Sequence, residues 1–155
     1  MTPFTGFTQD TIVFFDELAH NNHRAWFTQN RERYQRTVIQ PAQAFVMAMG
    51  ERLRKISPEV IADPRGNGSG SIYRIHRDVR FSKDKTPYKT NLGVFFWHGS
   101  PRKGNQPGFY FHLDAEKLGL YGGMYVFDGA KLEKYRQAVV HPQSGRELLR
   151  AVKQV

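Results

Sequence analysis

The stretch SIYRIHRDVRFSKDKTPYKTN, residues 71–91, gathers groups suited to holding an anion. Arg74, Arg77, Arg80, Lys83, Lys85 and Lys89 stand against only Asp78 and Asp84, a net +4. Ile72, Tyr73, Ile75, Val79, Phe81 and Tyr88, residues that prefer to be packed, are interleaved with them. Charge tied into an apolar frame costs stability unless something compensates it. Guanidinium groups match phosphate and carboxylate oxygens in forked pairs, and lysine adds a compact point charge.

On a strand, Arg74 and His76 project from the same face as Ile72, while Tyr73, Ile75 and Arg77 face the other way. Same-side neighbours are about 6.6 Å apart, so Arg74 and His76 could grip one phosphate together. Asp78, flanked by Arg77 and Arg80, suits a forked pair that orients a guanidinium; it equally suits a structural pair that neutralises one. Pro87 stiffens the following loop and pushes Thr86 to an extended shape. Lys85, Tyr88 and Lys89 on such a loop make an anion cradle, against the plainer reading of a solvated hairpin connection.

Asn21, Asn22, Arg24, Trp26, Asn30 and Arg31 form a second polar and aromatic cluster. Asn22, Trp26 and Asn30 recur at i, i+4 and i+8, which lines one helix face. Capping by Asn22 and packing by Trp26 account for those two. Asn30 and Arg31 have no capping duty in mid-helix, so they join the candidate site, and this face is expected to abut the basic segment. The expected ligand-binding set is therefore Arg74, Arg77, Asp78, Arg80, Lys85, Tyr88, Lys89, Asn30 and Arg31. No residue is assigned a catalytic role.

Several kinds of chemistry find no template. No GxxxxGK[ST] phosphate loop, HExxH or GxSxG is present, and GNGSGS is not GxGxxG. His76, His98 and His112 fall on expected strands, with Asp114 on the face of His112, but their spacing does not bring three ligands together. No metal or other cofactor is expected.

The whole chain of 155 residues carries +9, from 23 Lys and Arg against 14 Asp and Glu. Nearly half of that excess lies in the one basic segment, so the expected partner is an anion, with nucleic acid among the candidates. There are no cysteines, which removes disulfides and thiolate chemistry. No apolar run approaches the ~20 residues of a membrane span, and MTPFTGFTQD lacks the pattern of a signal peptide. A cytoplasmic protein without membrane partners is expected; the oligomeric state is not legible.

The elements that position these residues follow from periodicity. Residues 8–57 read as helices: Thr8 or Thr11 as a cap, Phe14 and Leu18 at i, i+4, then Phe27, Tyr34 and Val38 on a stripe. Pro41 suits a first helical residue, with Phe45, Met49, Leu53 and Ile56 behind it. Residues 58–70, rich in Pro, Gly and Ser, read as a mobile loop. The period then changes to two, with strands expected over Ser71–Arg77, Leu92–His98, Gly108–Asp114 and Leu118–Val126 and a turn at GSPRKGNQPG. Gly122 and Gly123 suggest a bulge or a close approach. Asp128 caps a helix that His141 and Pro142 end, and Ser144 with Glu147 reads as a capping box for a last helix. The expected fold is one α+β domain over residues 1–155. N-terminal helices pack on a mostly antiparallel sheet of four or more strands within 71–127, followed by helices over 128–155.

The pattern Arg74-x-x-Arg77-Asp78-x-Arg80-Phe81-x-x-x-Lys85-x-x-Tyr88 resembles the signature RxxRDxRFxxxKxxY of a bacterial and fungal family of unknown function. FDELAHNNHRAWFTQNRERY resembles that family's N-terminal helices, and PGFYFHLD and GGMY resemble its later strands. The resemblance covers nearly all of the chain. It implies a site at the motif and, since members usually continue further, an additional C-terminal portion; the abrupt end at AVKQV agrees with that. It implies no activity.

Three functions stand open. The first is binding of a phosphate-bearing ligand (nucleotide, nucleic acid or phosphorylated metabolite) at the Arg74–Tyr88 motif. The second is an enzyme acting on a phosphoester, in which Arg74, Arg77 and Arg80 stabilise charge while Asp78, His76 or Lys85 carries a proton. In the third, the motif is only a structural charge network.

Overall fold

The computed structural model describes residues 3–99 and 103–154. They form two compact units, Met1–Gly123 and Met124–Val155. Helices come first, then a four-stranded antiparallel sheet, then two more helices. The fold is α+β.

In the first unit, α1 (Gln9–His20) buries Phe14, Phe15 and Leu18 on one stripe. Thr8 stands at its N-cap, but no side-chain bond caps the helix. Asn21 closes it, donating from its side chain to the Glu17 carbonyl at 2.9 Å. Three short segments follow: α2 (Arg24–Gln29), α3 (Arg31–Tyr34) and a wide π turn over Gln35–Ile39, which runs directly into α4 (Gln40–Arg54).

Pro41 accounts for the π turn. A proline in a helical run lacks an N–H for the carbonyl four residues back and crowds it with its ring. That carbonyl belongs to Thr37, and it instead accepts a 2.7 Å hydrogen bond from the buried Thr11 hydroxyl. Thr11 is thus a tertiary partner and not a cap. The wide turn also lets Thr37, Val38 and Ile39, three successive residues, all be buried. Behind Pro41, Phe45 and Leu53 are buried as the spacing predicts. Ile56 is 75 % exposed, because the helix ends at Arg54 before the stripe reaches it.

The sheet order is β1-β2-β3-β4, with β1 Val60–Ile61, β2 Leu92–His98, β3 Gly108–Leu113 and β4 Leu118–Gly123. Leu92, Val94 and Phe96 of β2 face the helices, as do Phe111 and Leu113 of β3. Phe45 lies 4.6 Å from Phe111, ring centre to ring centre, and closes the core between α4 and the sheet.

Three expectations about the strands are corrected. β1 lies inside the segment expected as a loop, where Val60 and Ile61 pair with His98 and Trp97. Ser71–Arg77 is not a strand: only Ile72 pairs with the sheet, opposite Val94, and His76 pairs with Tyr88 instead. The reason is visible in burial. Strict alternation would put Ile72 and Ile75 on opposite faces, yet both belong to the same core, at 0 % and 6 % exposure. β4 stops at Gly123, whose φ of +136° carries the backbone out of the extended region. Part of the turn expected at GSPRKGNQPG, residues 100–102, lies outside the described residues, as does Val155 at the chain's end.

The second unit holds α5 (Gly129–Val140) and α6 (Ser144–Val152). Asp128 caps α5, accepting from the Lys131 N–H at 2.9 Å. The expected capping box does not form: Ser144 is already helical, and its hydroxyl donates to the Ala138 carbonyl at 2.6 Å. Gly145 allows this close approach, since a Cβ there would sit 2.3 Å from the Val139 carbonyl oxygen.

Candidate functional site

The basic segment is a loop closed at its base. The Lys89 N–H donates to the Ile75 carbonyl at 2.8 Å, and the Arg77 N–H donates to that of Pro87 at 2.9 Å. The base is fastened to the turn between α1 and α2 by one side chain. Asn22 donates to the Tyr88 carbonyl at 2.9 Å and accepts the Tyr88 N–H at 3.0 Å, satisfying both backbone groups as a neighbouring strand would. Asn22 is therefore a clamp and not a helix cap. The Tyr88 ring is buried and stacks on Phe27 of α2 at 4.2 Å. Burial of such a ring contributes on the order of 1.5–3 kcal/mol, so this contact, not the surface charge, anchors the loop.

Beyond that base most of the charge is satisfied internally. The Arg77 guanidinium donates to the Asp84 carboxylate and the Thr86 hydroxyl. Arg80 makes a forked pair with Asp78, at 2.9 and 2.7 Å. The Lys85 ammonium donates to the Val79 carbonyl at 2.9 Å. The Thr86 N–H and then the Arg77 guanidinium hold the Asp84 carboxyl down to about 2. Arg80 likewise lowers that of Asp78. Phe81 is 95 % exposed, so it is not part of the apolar frame.

Arg74 departs from this pattern. With His76 it lines a cleft of about 430 Å³, to which Arg31 of α3 also contributes. Phe27, Tyr34, Ile39 and Ile75 form its apolar wall, and Gln35, Gln43 and Asn67 supply amides. Burial pushes the Tyr34 phenol well above its ordinary value, so it stays neutral. Gly68, at φ +87°, turns the loop that carries Asn67 and packs against the stem of Arg74. Among the described residues no carboxylate lines the cleft. Among the described residues neither Arg31 nor Arg74 is in an ion pair, whereas Arg33, Arg65, Arg77 and Arg80 each are. Arg74 acts on Asp78 only through space.

The nine expected site residues therefore separate. Arg31 and Arg74 meet in the cleft. Arg77, Asp78, Arg80 and Lys85 bind one another's neighbourhood in the loop, and Tyr88 is core. Asn30 does have a capping duty: it stands between α2 and α3, and its side chain donates to the Trp26 carbonyl at 3.0 Å. Lys89 turns to the sheet's outer face, over the Tyr73 ring. Sequence reasoning missed Gln35, Gln43 and Asn67. The π turn, signalled by Pro41, was the one available cue to the first. Among the described residues no three His, Asp or Glu side chains converge to hold a metal, and no helix is long and apolar enough to cross a membrane.

Helices on an antiparallel sheet, with a motif loop clamped between them, define an α+β protein with a basic cleft beside its sheet. Residues 10–155 match the conserved hypothetical protein family DUF2461, and the chain belongs to that family. No curated protein and no solved structure matches it.

Proposed function

We propose that the chain binds a small phosphate-bearing anion in the cleft formed by Arg31, Arg74 and His76. The observation that carries this reading is a concave lining in which, among the described residues, two guanidiniums are in no ion pair and no acid is present. Guanidinium forks suit phosphate oxygens, and a volume of about 430 Å³ lies within the usual range for small-molecule sites. The amides of Gln35, Gln43 and Asn67 add hydrogen-bonding groups, and Phe27 and Tyr34 offer apolar surface to the rest of the ligand.

The test is thermal unfolding and calorimetry with inorganic phosphate, pyrophosphate and nucleoside monophosphates. A bound anion at a hundredfold excess over its Kd stabilises the fold by about 2.7 kcal/mol. The double variant Arg31→Ala, Arg74→Ala should unfold at the same temperature as the parent without ligand and lose the ligand-induced rise. The reading fails if no anion raises the melting temperature, or if the double variant responds as the parent does.

A further inference from the structure

The outer face of the sheet, opposite the helices, carries a row of rings. The register places Tyr110 of β3 between Phe95 and Tyr121, and His112 between Gly93 and Gly119. Tyr73 joins from the edge, its N–H donating to the Gly93 carbonyl at 3.0 Å. Ring centres are 6.1 Å apart for Tyr73 and Tyr110, and 5.9 Å for Tyr110 and Tyr121. His112 continues the row 6.3 Å from Tyr110.

Two glycines let these rings lie along the sheet. A Cβ at Gly93 would sit 2.8 Å from the Tyr110 hydroxyl and 3.2 Å from the Tyr73 ring; one at Gly119 would sit 2.7 Å from the Tyr121 ring. Tyr121 remains 58 % exposed and offers π surface outward at one end of the row, while Tyr73, 37 % exposed at the other, carries lysines over its ring.

Positive charge is gathered at one end. The Lys103 ammonium lies 3.5 Å from the Tyr73 ring centre and that of Lys89 lies 5.3 Å from it. Lys103 is held there by donating to the Gly70 carbonyl at 2.7 Å. Among the described residues neither lysine has a carboxylate within ion-pairing distance; Asp63, paired with Arg65, acts on Lys103 only through space. Burial and the nearby Lys89 charge lower Lys103 to about 8, as expected for two ammoniums crowded without a counter-ion. At the far end Asp114 is occupied by His112 at 2.7 Å.

We infer that this face is a stacking platform for single-stranded nucleic acid: bases lie on Tyr121 and along the row beside it, and phosphates are drawn to Lys89 and Lys103, which the Tyr73 ring holds in place. Exposed rings in series beside lysines are the chemistry by which proteins hold unpaired bases without reading their sequence. A duplex keeps its bases stacked on each other and offers the rings nothing. An acidic peptide would use the lysines but leave the rings idle. None of the platform's rings or lysines lines the Arg31–Arg74 cleft.

Fluorescence anisotropy with a labelled ten-residue oligo-dT tests this, beside a labelled 20-base-pair duplex and a polyglutamate competitor. Single strands should bind, duplex should bind at least tenfold more weakly, and polyglutamate should compete poorly. Tyr73→Ala and Tyr121→Ala, checked for native circular dichroism, should each weaken binding about tenfold. Lys89→Gln should reduce the slope of log affinity against log salt by about 0.7, one phosphate contact. Arg31→Ala, in the cleft, should leave the affinity unchanged. The inference is overturned by absent binding, by equal affinity for duplex, by effective polyglutamate competition or by indifference to both tyrosine variants. Loss of binding in the cleft variant with retention in the tyrosine variants would also overturn it, by placing the strand in the cleft.

Discussion

Arg74 and Arg77 stand three residues apart in one motif, yet their surroundings differ in kind. Arg77 is spent on Asp84 and Thr86 inside its own loop. Arg74 faces a cleft lined, among the described residues, with another arginine outside any ion pair and no acid. A guanidinium with a carboxylate in reach is a fastening; one held in a concave wall without a carboxylate is an offer to a ligand. Motif membership alone does not separate the two. What separates them is the change of course after Tyr73, where the chain leaves the sheet edge and starts its own small ribbon with residues 87–89.

The sharpest way to break this contrast is at the shared base. Tyr88→Ala should destabilise the protein by about 3–5 kcal/mol, as other buried-ring truncations do. Asn22→Ala, which strands the Tyr88 backbone groups, should cost about 1–3 kcal/mol. Urea unfolding measures both, and a loss under ~0.5 kcal/mol for either would mean the loop is not anchored there.

A smaller, local effect is expected at Asp84. Its folded value lies below the ordinary 3.8, so the stability it contributes is complete above that value and fades as pH falls through about 2. An NMR titration of the Asp84 carboxyl should show a midpoint near 2, and Arg77→Gln should raise it. A midpoint at the ordinary carboxylate value in the parent would dissolve the proposed network in solution.

The smallest effect on stability belongs to the cleft. Arg74→Ala should change unfolding free energy by no more than about 0.5 kcal/mol, since among the described residues its guanidinium is in no ion pair. A larger loss in urea unfolding would make Arg74 a structural residue and merge the two regions into one.

Periodicity carried much of the architecture. Phe14 and Leu18, then Phe45 and Leu53, recur at helical spacing because a helix buries one stripe, and all four are core. Leu92, Val94 and Phe96 alternate because a strand buries one face, and they line the helix side of the sheet. The Arg80–Asp78 pair was legible for a related reason: two residues apart, they meet through local backbone geometry. Composition placed positive charge in the motif, but not its direction.

Direction was decided by contacts between distant parts of the chain. Asn22 reads as a cap until Tyr88, 66 residues away, occupies both ends of its amide. Thr11 reads as a cap until Pro41 deprives the Thr37 carbonyl of its helical donor. Arg31 meets Arg74, and Lys103 meets Tyr73, only after the loop has been pinned against α2 and β2. Hydrophobic spacing is a property of neighbours in sequence and survives without a fold. The choice between a paired and an unpaired charge depends on which groups arrive from elsewhere, and only packing settles that.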